Sequence, residues 1–207
     1  MWRRALFFVS AGLLFALLSG CGWMYQIGQP QGPQNGNDLT EAELELPPFE
    51  FTNQDEEVVT NEDFEGQYML ADMIFTTCPT VCNTMTPNML SLQADMEEEG
   101  IDNVNLVSFT VDPDNDDPEV LKDYGEKYGV DFDDWDFLTG YTNEDIKELS
   151  EESFLSVLDK DTGDDNIIHA TGFFLIDPDG NVIRKYDGLE SDTEPILDDL
   201  KRVSDSN

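Results

Sequence analysis

The run YMLADMIFTTCPTVCNTM, residues 68–85, constrains this chain more than any other, because it carries an apolar segment directly into a pair of cysteines. Residues 68–77 have the length and apolar density of a buried strand. Pro79 supplies the fixed φ favoured at a first helical position, and Thr77 stands just upstream as a candidate cap. The helix so begun is expected to continue through MLSLQADMEEEG and stop at Gly100, with its first turns kinked because Pro87 has no N–H for the carbonyl of Asn83. Cys78 and Cys82 stand at i and i+4, which on a helix is one face, one turn apart.

The rest of the chain supplies what such a strand–helix unit must pack against. FEFTNQDEEVVT reads as two short strands about a polar turn, VNLVSFTV (104–111) as a strand, and DPEVLKDYGEKYG as a helix capped by Asp117 and Pro118. WDFLTG follows as a short strand and TNEDIKELSEESF as a helix that Thr142 caps. Residues 157–167 form a polar loop; GFFLIDPDGNVIRKYDG (172–188) is a hairpin about Asp177-Pro178-Asp179-Gly180, and SDTEPILDDLKRVSD closes as a helix. The order β-β-β-α-β-α-β-α-β-β-α implies an α/β domain with a mixed central sheet flanked by helices and an extra N-terminal β-hairpin. A cysteine pair at the start of the helix leaving an inner strand, with a closing hairpin and helix, suggests a thioredoxin-like fold spanning residues 46–207.

The N-terminus reads differently. MWRR followed by ALFFVSAGLLFALLSG has the layout of a secretory signal over residues 1–20. It ends LLSGC, and Leu-Ser-Gly-Cys resembles the bacterial lipobox, whose cysteine is acylated after cleavage; Cys21 is the expected lipidation site. A membrane-spanning anchor is the rival, but the apolar run is short for one. Residues 21–45, rich in Gly, Gln, Asn and Pro, are expected to be a flexible tether holding the domain off the outer face of the cell membrane. The net charge of −36 excludes a nonspecific nucleic-acid binder, since phosphate contacts need Lys and Arg.

With Cys21 committed to lipid, Cys78 and Cys82 are the pair left in an oxidising compartment. A loop this short gives a structural disulfide little entropic value. If the helix starts near Pro79, both sulfurs sit in the field of its N-terminal N–H groups and both are expected to ionise easily. Thiolates suit attack on a disulfide and ligation of a soft metal, and spacing does not choose between them. His169, the single histidine, stands just before the hairpin, where thioredoxin-like oxidoreductases carry a cis-proline against their cysteines; HATG has no proline. If the fold assignment holds, His169 faces both sulfurs, and two thiolates with one imidazole favour Cu(I) while able to hold Cu(II). Asp72, polar within an apolar strand, is expected to hydrogen bond at the edge of burial.

Four segments together, MIFTTCPTVCNTMTPNM, VSFTVDPDNDDPEVLKDYGEKYG, WDFLTG and IIHATGFFLIDPDGNVIRKYDG, resemble the Sco/SenC family, thioredoxin-fold copper proteins that help assemble the CuA centre of cytochrome c oxidase. The resemblance covers about residues 47–204. It implies Cys78, Cys82 and His169 as copper ligands, and Asp112 as an acid near the metal that tunes it or meets the partner, where the plainer reading is a turn-forming Asp before Pro113. It further implies the CuA domain of cytochrome c oxidase subunit II as partner. A thiol–disulfide reductase that keeps the acceptor cysteines reduced, with Cys78 as nucleophile, Cys82 resolving and a reductant partner of its own, stays open, as does a redox or copper sensor. One departure is Asp117, where the family often has Thr before the second proline; an Asp caps equally well.

Overall fold

A computed structural model describes residues 33–160 and 167–205. In chain order the strands are β1 (Asn37–Asp38), β2 (Glu50–Thr52), β3 (Val58–Thr60), β4 (Tyr68–Ile74), β5 (Val104–Thr110), β6 (Trp135–Leu138), β7 (Gly172–Ile176) and β8 (Val182–Asp187). The helices are α1 (Cys82–Glu99), α2 (Pro118–Tyr128), α3 (Asn143–Phe154) and α4 (Glu194–Ser204). Six strands form one mixed sheet in the order β1-β8-β7-β4-β5-β6. β4, β5 and β6 run parallel, which requires the crossovers through α1 and α2, whereas β7 and β8 are an antiparallel hairpin laid against β4. The mixed sheet flanked by helices is the one expected, and the N-terminal hairpin is a separate two-stranded sheet of β2 and β3. Thr52 bridges that hairpin to Thr139 beyond β6.

The local chemistry explains most element ends. Asp117 accepts the backbone N–H of Val120 at 3.0 Å with Pro118 in the first turn, so α2 starts there. Thr142 and Asp145 form a reciprocal capping box that starts α3. In the closing hairpin Asp177 accepts from the N–H groups of Asp179 and Asn181, and Gly180 takes φ 88°, which a side chain would resist.

Alternation along the central strands sorts the core into two layers. Phe109 of β5 meets Phe49, Phe51 and Phe154, and Phe154 stacks on Phe174. The opposite face carries Asp72, Ser108, Trp135 and Phe137, with Tyr124 of α2 edge-on to Phe137. Met85, Met89, Leu92 and Met96 line the buried stripe of α1.

Two expectations need correction. The tether does not extend to residue 45: β1 pairs with β8 through Asn37–Lys185 and Asp38–Arg184, and Leu46 N–H donates to the Gly180 carbonyl. The reason is Asp199, a fully buried carboxylate on α4, which the backbone N–H groups of Gln34 and Asn35 reach at 2.6 and 2.7 Å and the Tyr186 hydroxyl at 3.1 Å. A buried carboxylate without donors is costly, so it holds the polar segment in place. The second correction concerns α1, which begins at Cys82 and not near Pro79; Pro87 lies within it. The signal segment 1–20, Cys21, the tether as far as residue 32 and loop residues 161–166 lie outside the described residues. Among those described, no helix is long and apolar enough to cross a membrane.

Candidate metal centre

β4 ends at Ile74, and the chain turns once before α1 begins at Cys82. Within that turn the Cys78 N–H donates to the Phe75 carbonyl at 3.1 Å. Val81 stands at the N-cap of α1 and has no side chain able to cap; Thr77 does not cap either. The Cys82 N–H at the first position instead donates to the Cys78 sulfur at 3.4 Å. The sulfur therefore occupies the place of a capping oxygen and satisfies one of the helix's unpaired donors. The two sulfurs do meet, but by a cap and not by two positions on one helical face.

The third group arrives from about 90 residues downstream. Asp159 and Ile168 exchange backbone hydrogen bonds at 3.0 and 2.9 Å, and this bridge delivers His169 just ahead of β7. His169 is buried at 8% exposure, with its ring edge-on to Phe75 at 5.7 Å. Its Nδ1 lies 2.7 Å from the Ala170 carbonyl oxygen, which can only accept, so Nδ1 carries the proton. Nε2 is thereby left with a lone pair, and it is buried with no hydrogen-bond partner. One ring nitrogen and both sulfurs lie within 4.8 Å of one another, and among the described residues Cys78, Cys82 and His169 are the group so placed. An orphaned imidazole nitrogen beside two thiols, its other nitrogen fixed by a carbonyl, is the donor set and outer support of a soft-metal site.

The two thiols are not equivalent, which corrects the expectation that both ionise easily. Burial opposes ionisation of Cys78, but hydrogen bonding from the His169 imidazole, which can donate to the sulfur only when Nε2 is also protonated, from the Cys82 thiol and from the backbone N–H groups of Cys82 and Thr80 outweighs it and brings the pKa down to about 6. Burial pushes Cys82 strongly upward, and the Cys78 sulfur and the Asp72 charge push it further. The helix-terminal donors serve the sulfur that caps the helix, and Cys82 sits inside the first turn.

Asp72 lies at the centre of burial and not at its edge, with no exposed surface. Ser108 Oγ donates to its Oδ1 at 2.6 Å and Trp135 Nε1 donates to Ser108 Oγ at 3.0 Å, while Oδ2 has no partner. Burial raises its pKa to about 6, against hydrogen bonding from Ser108 and the attraction of His169. The sequence marks Asp72 as anomalous; its nearness to the cysteine site is a tertiary result.

Asp112 is not one of the clustered groups. Its carbonyl oxygen accepts the Asn115 and Asp116 N–H groups, and its carboxylate takes Asn115 Nδ2 at 2.8 Å and Lys160 Nζ at 3.2 Å. It forms the turn before Pro113 and, through Lys160, meets the segment whose Asp159 bridges to Ile168. Asp116, which sequence reasoning passed over, is fully buried: it accepts from Thr76 N–H at 3.1 Å, Thr76 Oγ1 at 2.5 Å and Thr110 Oγ1 at 2.5 Å. Its only sequence signal is membership of an acidic loop.

The sequence pattern of the SCO1/SenC family matches residues 37–205. The SCO1 protein homolog of Bacillus subtilis (strain 168) is 41% identical over 197 residues, 95% of each chain. A SCO1/SenC family lipoprotein from Bacillus anthracis str. Ames is 44% identical with a TM-score of 0.74, covering 78% of this chain and 96% of its own. BsSco, described as having a disulfide switch and as a member of the Sco family of cytochrome c oxidase assembly proteins, is 40% identical with a TM-score of 0.73, covering 84% and 99%. The copper-bound ScoI of Arabidopsis thaliana, 21% identical, shares the fold at a TM-score of 0.64 over 77% of this chain and 98% of its own. The matched span, the identity and the shared thioredoxin-like architecture lead to one conclusion: this chain belongs to the SCO1/SenC family.

Proposed function

We propose that the protein binds one copper ion through Cys78, Cys82 and His169 and serves assembly of the CuA centre of cytochrome c oxidase, its acceptor being the CuA domain of subunit II. The observation that carries this reading is the buried, unpartnered Nε2 of His169 beside the two sulfurs. Two thiolates and an imidazole suit Cu(I) and can accommodate Cu(II). The ion is cargo, passed to a cysteine-rich acceptor by ligand exchange. Loading requires both thiols reduced and deprotonated, so it is linked to redox state and pH.

A second role of the same thiols is favoured by their asymmetry. Cys78 as thiolate attacks one sulfur of an acceptor disulfide, and Cys82 then displaces the acceptor, leaving the acceptor as a dithiol and Cys78–Cys82 oxidised. A thiol reductant partner must return two electrons to the pair. The protein works outside the cytoplasm, held to the membrane by lipid on Cys21 after removal of residues 1–20; the lipobox-like LSGC and the lipoprotein relative support this.

Reduced protein spanning residues 22–207, titrated with copper, should take up one equivalent, with thiolate-to-Cu(II) charge-transfer absorption for the oxidised ion. His169→Ala should weaken binding by about 100-fold, the upper end of what loss of even an outer-shell partner costs a metal site. Unchanged affinity in that variant would remove the metal-site reading and leave the reductase. Labelling cells with radioactive palmitate should mark the wild type and not Cys21→Ser; label retained in the variant rules out the anchor.

A further inference from the structure

We infer that Asp116 is a positioning residue for the cysteine pair, acting through Thr76 to fix the turn that places both sulfurs. The inference rests on the metal-site reading above for its copper arm alone. Asp116 is 38 residues from Cys78 in sequence and touches none of the three clustered groups. Both of its oxygens are directed at the turn between β4 and α1 or at the end of β5. Oδ1 accepts the Thr76 hydroxyl and Oδ2 accepts both the Thr76 N–H and the Thr110 hydroxyl.

The position of Thr76 gives this contact its reach. On one side stands Phe75, whose carbonyl accepts the Cys78 N–H and whose own N–H faces the Cys82 sulfur. On the other side, two residues on, stands Cys78, whose sulfur caps α1. Val81 has no capping group and Thr77 is exposed, so the cap of α1 is held by the turn that Thr76 anchors. Asp116 is itself fixed: its N–H donates to the Asp112 carbonyl at 2.9 Å and its carbonyl accepts from the Thr139 hydroxyl at 2.8 Å. A rigid acid thus grips one residue, and that residue sets the spacing of the sulfurs. Two carboxylate oxygens accepting three hydrogen bonds cannot be copied by an amide, which has one acceptor oxygen and two donors. Outer supports of this kind typically change metal affinity by 10- to 100-fold.

The test uses full-length protein in detergent, with Asp116→Asn and Thr76→Val singly and together. Thr76→Val keeps the carboxylate and the shape of the residue while removing the hydroxyl, and it decides the matter if Asp116→Asn does not fold. Each single variant should weaken Cu(I) binding by about tenfold. Each should also shift the metal-free Cys78/Cys82 couple toward the disulfide by about tenfold against glutathione, about 30 mV lower in potential. The dithiol form loses its sulfur-facing N–H groups when the turn loosens, and the disulfide has less need of them. The double variant should be no worse than the worse single, because both act through one contact. A fall in thermal stability with affinity and potential both unchanged would make Asp116 merely structural and overturn the inference. If the wild type binds no copper, the metal-site reading fails and the potential alone decides the inference. A potential equal to that of the wild type then refutes it.

Discussion

Iodoacetamide at pH 7.5 should modify Cys78 and leave Cys82 unmodified in the folded, reduced protein, with the rate at Cys78 rising through a midpoint near pH 6. Only thiolate reacts, and a pKa of about 6 makes Cys78 almost wholly thiolate at that pH, whereas Cys82 is held protonated by burial and by the neighbouring sulfur. The selectivity is expected to exceed 100-fold, since each pH unit between a thiol and its medium is a factor of ten in thiolate. Peptide mapping by mass spectrometry after timed quenching reads both sites together. Equal labelling, or a midpoint near the ordinary thiol value of 9.0, would mean that the donors around the Cys78 sulfur, the His169 imidazole first among them, do not act on it in solution. The same shift has a sign for stability. The folded-state pKa of Cys78 lies below the ordinary value, so its contribution grows as pH rises from about 6 toward 9 and is lost as pH falls back through 6.

The second large effect is at Asp72 and runs the other way. Its folded-state pKa of about 6 lies above the ordinary 3.8, so the folded state holds a proton that the unfolded chain releases, and stability falls as pH rises between the two values. Above pH 6 the ionised carboxylate is buried with Oδ2 unpartnered. Asp72→Asn keeps the oxygen that Ser108 addresses and removes the charge. The amide brings two donors where the protonated acid carries one, a cost that is the same at every pH. At about 1.4 kcal/mol per pKa unit, the charge costs about 1.5 kcal/mol at pH 5 and about 3 kcal/mol at pH 8, so the stability of the variant relative to the wild type should rise by about 1.5 kcal/mol between the two. Urea unfolding at the two pH values measures this. A gain independent of pH would show that the charge is not the cause.

Much of the site is visible in the primary structure. An apolar strand running into C-x-x-x-C, a single histidine before a hairpin and the Asp-Pro loop name the three clustered residues, and period and capping residues place every strand from β2 onward and all four helices to within a few positions. Those signals are local: alternation, turn chemistry and caps are written in neighbouring residues. What the chain could not disclose depended on partners far away in sequence. The domain begins before residue 45 because Asp199 waits on α4 for the N–H groups of Gln34 and Asn35. Asp116 matters because folding carries it to Thr76, 40 residues earlier. The two thiols differ because α1 starts at Cys82, which makes one sulfur the cap and buries the other. The sequence by itself determined which donor atoms are available. The tertiary structure decided their protonation and spacing, because burial and long-range hydrogen bonds exist only once the chain has closed on itself.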